Sequence, residues 1–336
     1  MMGRAATALG AAVVSVVGLR ALGDRAADRL LDAPRLAPGE AALTDRIDAL
    51  GGEVVRFRSR DGLRLGGRWI PADAADEDWA PESHEAILLL HGYSGSIAPD
   101  LVEYGPFLRR TANVLGIDFR GHGESDAGPS TFGMLEVEDI AGALAWLGER
   151  GIRRVAFVGT SMGAMAAITS VAILGDGSLT AADTEADPTR AETDPPRPRI
   201  VGVVADSAAP EVEIPVANRL ARPFRRFIAA RAFDAAARRL GADPRETEPV
   251  RVVGLVEPVP LLLIHGQADT TVPLADGRRL AAAAGPSAEH WTVPGAGHSA
   301  SHAVAGQDYE RRVTDHLRVA FRTARDDDLR GEGRDL

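Results

Sequence analysis

Short apolar runs alternate along this chain with longer stretches of helical periodicity. Ala86-Ile87-Leu88-Leu89-Leu90, Asn113 to Ile117, Arg154 to Val158, Ile200 to Val204 and Val259 to Ile264 are continuous or nearly continuous in apolar residues. Runs of that length predict strands buried on both faces. Glu289 to Val293 reads as one more strand. Leu101 to Arg110, Leu135 to Arg150, Ala164 to Leu174 and Leu274 to Ala284 carry helical patterns between them. Upstream, Glu53 to Ser59 and Leu63 to Ile70 alternate in polarity around Asp61-Gly62, a hairpin signature. Strand and helix in alternation predict a mostly parallel, eight-stranded sheet with helices on both faces.

Two segments break that rhythm. Residues 175–199 are rich in Asp, Thr and Pro and nearly empty of large apolar side chains, which predicts a mobile surface insertion. Residues 207–258 separate two strands and carry a helical pattern from Val216 to Leu240, too long for a plain crossover. They predict a small helical cap over the C-terminal edge of the sheet. The domain map is therefore an apolar N-terminal segment (1–23), a helical polar connector (24–50), one domain (51–325) containing insertion and cap, and a polar tail (326–336).

Composition narrows the function. The chain has 336 residues, a net charge of −10 and no cysteine. Phosphate backbones need a positive field, so nucleic acid is not the expected partner. Without cysteine there is no disulfide framework, thiolate metal site or Cys nucleophile. Ala5 to Leu19 is an uncharged, mostly apolar run of 15 residues, between the length of a signal core and the ~20 residues of a full span. Arg20, Arg25 and Arg29 follow at once, and charge in that place opposes translocation. The expectation is membrane association through residues 5–19 with the cytoplasmic face favoured; a cleaved signal or a helix packed on the domain are the alternatives.

The chemistry concentrates at strand ends. Gly159-Thr160-Ser161-Met162-Gly163 reads G-x-S-x-G where a strand turns into a helix, a turn that lifts the serine hydroxyl above the sheet. A serine hydroxyl needs a base, a group to orient that base, and donors for the oxyanion it creates. His298 lies in the Gly-rich loop Pro294 to Ser299 after the last strand and is the candidate base. Asp269 in His265-Gly266-Gln267-Ala268-Asp269 follows a buried strand and is the candidate orienting acid; Asp206, at the end of the preceding strand, is the alternative. In His91-Gly92-Tyr93 the backbone N–H of Tyr93, with that of Met162, is the candidate oxyanion pair. Asp118 to Ser125 reads as a structural turn near the site.

These blocks, in this order from Glu53 to Ala320, resemble the α/β-hydrolase fold family. The apolar N-terminal run and Leu135-Glu136-Val137-Glu138-Asp139-Ile140 are similar to the Bem46-like and YqkD-like hydrolases, near certain serine peptidases. The resemblance implies Ser161 as nucleophile, Asp269 as acid, His298 as base and the amides of Tyr93 and Met162 as oxyanion donors, with no metal and no organic cofactor. It implies hydrolysis of a small-molecule carboxylic ester or thioester through an acyl-enzyme. A peptidase or acyltransferase using the same residues, and a non-catalytic membrane-tethered module, are the alternatives. Seven cap arginines (Arg219, Arg222, Arg225, Arg226, Arg231, Arg238 and Arg239) form a solvated face or contact an anionic lipid or acidic substrate.

Overall fold

The computed structural model describes residues 20–21, 23–32, 41–73, 79–93, 95–175, 197–220 and 223–332. The insertion read at 175–199 and the apolar run 5–19 lie almost wholly or wholly outside them. Eight strands form one sheet: β1 (Glu53–Arg58), β2 (Arg64–Ile70), β3 (Glu85–Leu90), β4 (Asn113–Ile117), β5 (Arg154–Thr160), β6 (Arg199–Asp206), β7 (Leu261–Gly266) and β8 (Glu289–Val293). Their order is β1-β2-β4-β3-β5-β6-β7-β8. The β1–β2 hairpin turns at Asp61-Gly62, and β2 pairs antiparallel with β4; every later pair is parallel. This is the mostly parallel sheet expected from the run of elements, in the α/β-hydrolase arrangement that the resemblance implied.

The strand pattern explains the layers. Successive side chains on a strand point to opposite faces. On β3, Leu88 and Leu90 enter one apolar cluster, while Ile87 and Leu89 enter the other. The first cluster is completed by Ile140 and Leu144 from helix α4 (Glu136–Glu149) and Ile168 from α5 (Met162–Leu174). The second is completed by Leu101 and Tyr104 from α3 (Ala98–Leu108) and Val313, Leu317 and Phe321 from α11 (Gln307–Glu332). A strand buried on both faces reads as the unbroken apolar run seen in the sequence.

Helix α1 (residues 23–31) and α2 (Ala41–Asp48) precede the sheet. Ala27, Leu30 and Ile47 are buried. The cap contains α6 (Glu213–Arg219), α7 (Arg225–Leu240) and the short α8 (Pro249–Val252). The single helical pattern read over Val216 to Leu240 is thus two helices. Leu220 is extended (φ −84°, ψ 149°) and Phe224 left-handed (φ 74°). Pro223 lies between them, lacks a backbone N–H and disfavours helical backbone before it. Helices α9 (Leu274–Ala284) and α10 (Ser301–Ala305) complete the fold.

Candidate active site

Ser161 occupies the sharp junction between β5 and α5. Its backbone is left-handed (φ 50°, ψ −111°), a conformation that costs a non-glycine residue about 1–3 kcal/mol. The surroundings hold it there. The Ser161 N–H donates to the Asp206 carbonyl at 2.8 Å, and the Met165 N–H donates to the Ser161 carbonyl at 3.1 Å. Gly159 and Gly163 are required by space: a Cβ on Gly163 would stand 2.1 Å from the Leu90 oxygen, and one on Gly159 2.5 Å from the Gly163 carbonyl. The first turn of α5 therefore sits directly on the end of β3.

Across the sheet edge, the loop after β8 carries His298 to the serine. The Ser161 hydroxyl lies 2.8 Å from His298 Nε2, and His298 Nδ1 lies 2.8 Å from Asp269 Oδ2. The buried Asp269 carboxylate is itself fixed, because its Oδ1 accepts from the N–H groups of Thr271 and Val272, each at 2.8 Å. An ionised carboxylate only accepts, so His298 Nδ1 carries the hydrogen and the Nε2 lone pair faces the hydroxyl. The three residues come from 137 positions apart in the chain for Ser161 and His298 and 29 for His298 and Asp269. A chain of acceptor, imidazole and hydroxyl in this order can move a proton off an attacking oxygen.

Asp206, the alternative acid, does something else. It is fully buried, and its Oδ1 accepts from the hydroxyls of Ser207 at 2.9 Å and Ser301 at 3.0 Å. Ser207 Oγ in turn accepts from the Ser299 N–H at 3.0 Å. Among the described residues no hydrogen bond joins Asp206 to His298. Its carboxylate instead anchors the stretch that follows the imidazole, at Ser301 directly and at Ser299 through Ser207. Burial pushes its carboxyl up to about 6, against which the two hydroxyls act. Ser207, Ser299 and Ser301 had no signal in the sequence: isolated serines in loops are commonplace, and only the fold brings them to one carboxylate.

The loop after β3 lies against Ser161. A Cβ on Gly92 would be 3.5 Å from the Ser161 Cβ, ordinary contact distance. Among the described residues, neither the Tyr93 nor the Met162 N–H has a hydrogen-bond partner, and Met162 opens α5, where a helix leaves its amides free. The loop is braced by His91, whose Nε2 accepts from the Phe119 N–H at 3.1 Å while Nδ1 lies 2.6 Å from the Gly92 carbonyl. Burial, and then the neighbouring His122, pull His91 down to about 3, so it is neutral and can fill both roles.

The Asp118–Ser125 turn is built as a frame. Asp118 Oδ1 accepts from the Ile97 N–H at 2.8 Å and Oδ2 from the Glu124 N–H at 3.0 Å. Arg120, 2% exposed, forms ion pairs with Asp139 at 2.8 Å and Asp61 at 2.9 Å, locking the turn to α4 and the β1–β2 hairpin. Among the described residues, no group of three or more His, Asp or Glu side chains is arranged to hold a metal ion.

The family model described as "Alpha/beta hydrolase family" matches residues 87–312, about two thirds of the chain, and takes in every residue of this site. The chain belongs to the alpha/beta hydrolase family. This α/β hydrolase is 25% identical over 236 residues to the uncharacterized protein YfhR of Escherichia coli O157:H7, covering 69% of this chain and 68% of that one. Among solved structures it resembles the Pyrococcus furiosus esterase Pf2001 with a TM-score of 0.63 at 21% identity, over 87% of this chain and 98% of that one. It also resembles a membrane phospholipase A, described as a bacterial virulence factor, with a TM-score of 0.54 at 16% identity, over 93% and 97% of the two chains. At those identities the structural likeness establishes the fold of this α/β hydrolase.

Proposed function

We propose that this α/β hydrolase cleaves carboxylic esters or thioesters through an acyl-enzyme. The observation that carries the reading is the pair of 2.8 Å contacts running from the Ser161 hydroxyl through His298 to the buried Asp269 carboxylate. His298 Nε2 takes the Ser161 proton as Oγ attacks the acyl carbon. The resulting oxyanion lies against the N–H groups of Tyr93 and Met162. As the intermediate collapses, the imidazolium gives its proton to the leaving alkoxide or thiolate, and the acyl group remains on Ser161. Water then adds with His298 again as base, the acid departs and the serine recovers its proton. One oxyanion donor in such a site is worth about 3 kcal/mol of barrier. Asp269 holds the imidazole in the reacting tautomer throughout.

A fluorophosphonate probe tests the reading directly. It should label Ser161 in the native chain and not in Ser161→Ala. A folded chain that takes up no label would leave the non-catalytic alternative standing. Turnover of short and long acyl esters, thioesters and aminoacyl-arylamides then separates esterase from peptidase, and added alcohol or amine acceptors expose acyl transfer. That the structurally similar P. furiosus protein is an esterase supports the ester reading. The finer likeness to Bem46-like and YqkD-like hydrolases is part of the same proposal.

We also place the site at a membrane surface. The apolar run Ala5–Leu19 leads straight into the helical residues 20–21 and α1. Gly23 on α1 lies against the backbone of Arg231 on α7. Of the seven cap arginines, Arg238 and Arg239 pair with Asp24 and Asp28 of α1, and Arg231 pairs with Asp234. Arg226 beside the exposed Phe224 and Phe227 remains on the surface for an anionic headgroup. Arg222 lies outside the described residues. Cosedimentation with vesicles containing anionic lipid tests this; full-length protein that stays in the supernatant would refute it.

A further inference from the structure

Tyr93 contributes more to the loop after β3 than its peptide N–H. Its hydroxyl lies 3.1 Å from the carbonyl oxygens of both Arg29 and Leu30, more than sixty positions earlier in the chain. Those carbonyls belong to the last turn of α1. The final carbonyls of a helix have no donor within it. Here they are met from outside: the Tyr93 O–H serves Arg29 and Leu30, and the Ser130 N–H donates to the Leu31 carbonyl at 2.9 Å. The end of α1 is thus capped by the loop that lies against the nucleophile.

We infer that the Tyr93 hydroxyl is a positioning group for the oxyanion site, and that α1 is thereby a working part of that site. This role for Tyr93 rests on the proposed ester chemistry and on what else fixes the loop. Gly92, which precedes the tyrosine, offers no side chain to hold it. The Tyr93 ring stacks on Phe132 with centroids 5.0 Å apart and planes at 19°, and Phe132 lies 6.3 Å from Phe233 of α7. Stacking fixes the plane of the ring but lets it slide. A hydroxyl held by two carbonyls removes that freedom, and with it the freedom of the peptide whose N–H faces the reacting centre. Helix α1 is a firm anchor for such a tie, because Ala27 and Leu30 are buried in the same cluster as Phe233 and the ion pairs Asp24–Arg238 and Asp28–Arg239 bind it to the cap. Burial raises the phenol to about 12, so the hydroxyl keeps its proton and remains a donor across the working pH range.

Tyr93→Phe in the full-length chain tests the inference. The ring and its stacking stay; only the O–H is lost. Removing an oxyanion donor outright costs about 10²–10³ in kcat, so loosening one is expected to lower kcat by about tenfold. KM should stay within about twofold, because the substrate's ground-state contacts are untouched. Affinity for an alkyl trifluoromethyl ketone, whose hemiketal carries the oxyanion, should fall by the same factor as kcat. Amide hydrogen exchange in α1 reports the structural side of the tie. If exchange in α1 quickens while kcat and ketone affinity hold at wild-type values, the hydroxyl merely caps a helix and the inference is overturned. Unchanged exchange together with unchanged kcat overturns it as well. A wild-type chain inert toward every ester would instead sink the hydrolase reading, so the two failures are distinguishable.

Discussion

Replacing either of two buried aspartates by asparagine should have very different consequences, and the hydrogen bonds say why. Asp269 Oδ1 accepts two backbone N–H groups, from Thr271 and Val272, at 2.8 Å each. In Asp269→Asn the side-chain oxygen must take that place, since an NH2 there would face two donors. The NH2 is then turned toward His298 Nδ1, 2.8 Å from the present Oδ2. It can only donate, so Nδ1 becomes the acceptor and the ring proton moves to Nε2, the atom facing Ser161. The base is blocked with the geometry intact. In the serine protease triad the equivalent exchange lowers kcat by about 10⁴, or about 5 kcal/mol of barrier. Asp206→Asn leaves that tautomer alone. Its oxygen can still accept from Ser207 and Ser301, so the His298 loop keeps its anchor and kcat should fall less than about tenfold. The assay is turnover of a p-nitrophenyl ester under saturation, with circular dichroism to establish that both variants are folded. Equal losses in the two variants, or a loss below tenfold in Asp269→Asn, would refute the assignment.

Ser161→Ala should reduce kcat by about 10⁶ while leaving thermal unfolding unchanged or slightly raised, because the left-handed backbone strain remains and only the hydroxyl is lost; activity above a hundredth of wild type would place the nucleophile elsewhere. Gly163→Ala forces a Cβ to within 2.1 Å of the Leu90 oxygen and 2.8 Å of the His91 oxygen, backbone atoms that cannot swing aside, and should destabilise the fold by about 3 kcal/mol in urea unfolding. Arg120→Ala strands the fully buried Asp139 carboxylate and should cost about 3–5 kcal/mol, with an unfolding free energy within about 1 kcal/mol of wild type telling against the frame described for this turn. His91 is neutral in the folded chain down to about 3, whereas the unfolded chain takes up that proton near 6.5, so the unfolded state binds more protons as pH falls. Stability should therefore drop by up to about 2 kcal/mol between pH 7 and pH 5, and His91→Gln should flatten that slope; an unchanged slope would mean the ring titrates normally.

The arrangement of strands could be read from the chain because burial on both faces of a parallel sheet demands unbroken apolar runs, and Ala86–Leu90 or Val201–Val204 have no other soluble home. The sharp turn at Ser161 was legible for a local reason as well: Gly159 and Gly163 are forced by contacts within five residues and with the adjacent strand end. His298 and both aspartates were visible as residues at strand ends, yet the sequence left two acids open. Only the tertiary structure separates them, because the direction of a carboxylate depends on which donors surround it, and those come from elements far apart in the chain. It turns Asp269 toward the imidazole and Asp206 toward Ser207 and Ser301. The part played by α1 was hidden for the same reason. Residues 24–50 look polar along the chain, but the carbonyls of Arg29 and Leu30 that meet Tyr93 belong to the backbone, which carries no residue code. Sequence determines what a segment can bury; packing decides which backbone and side-chain atoms then meet.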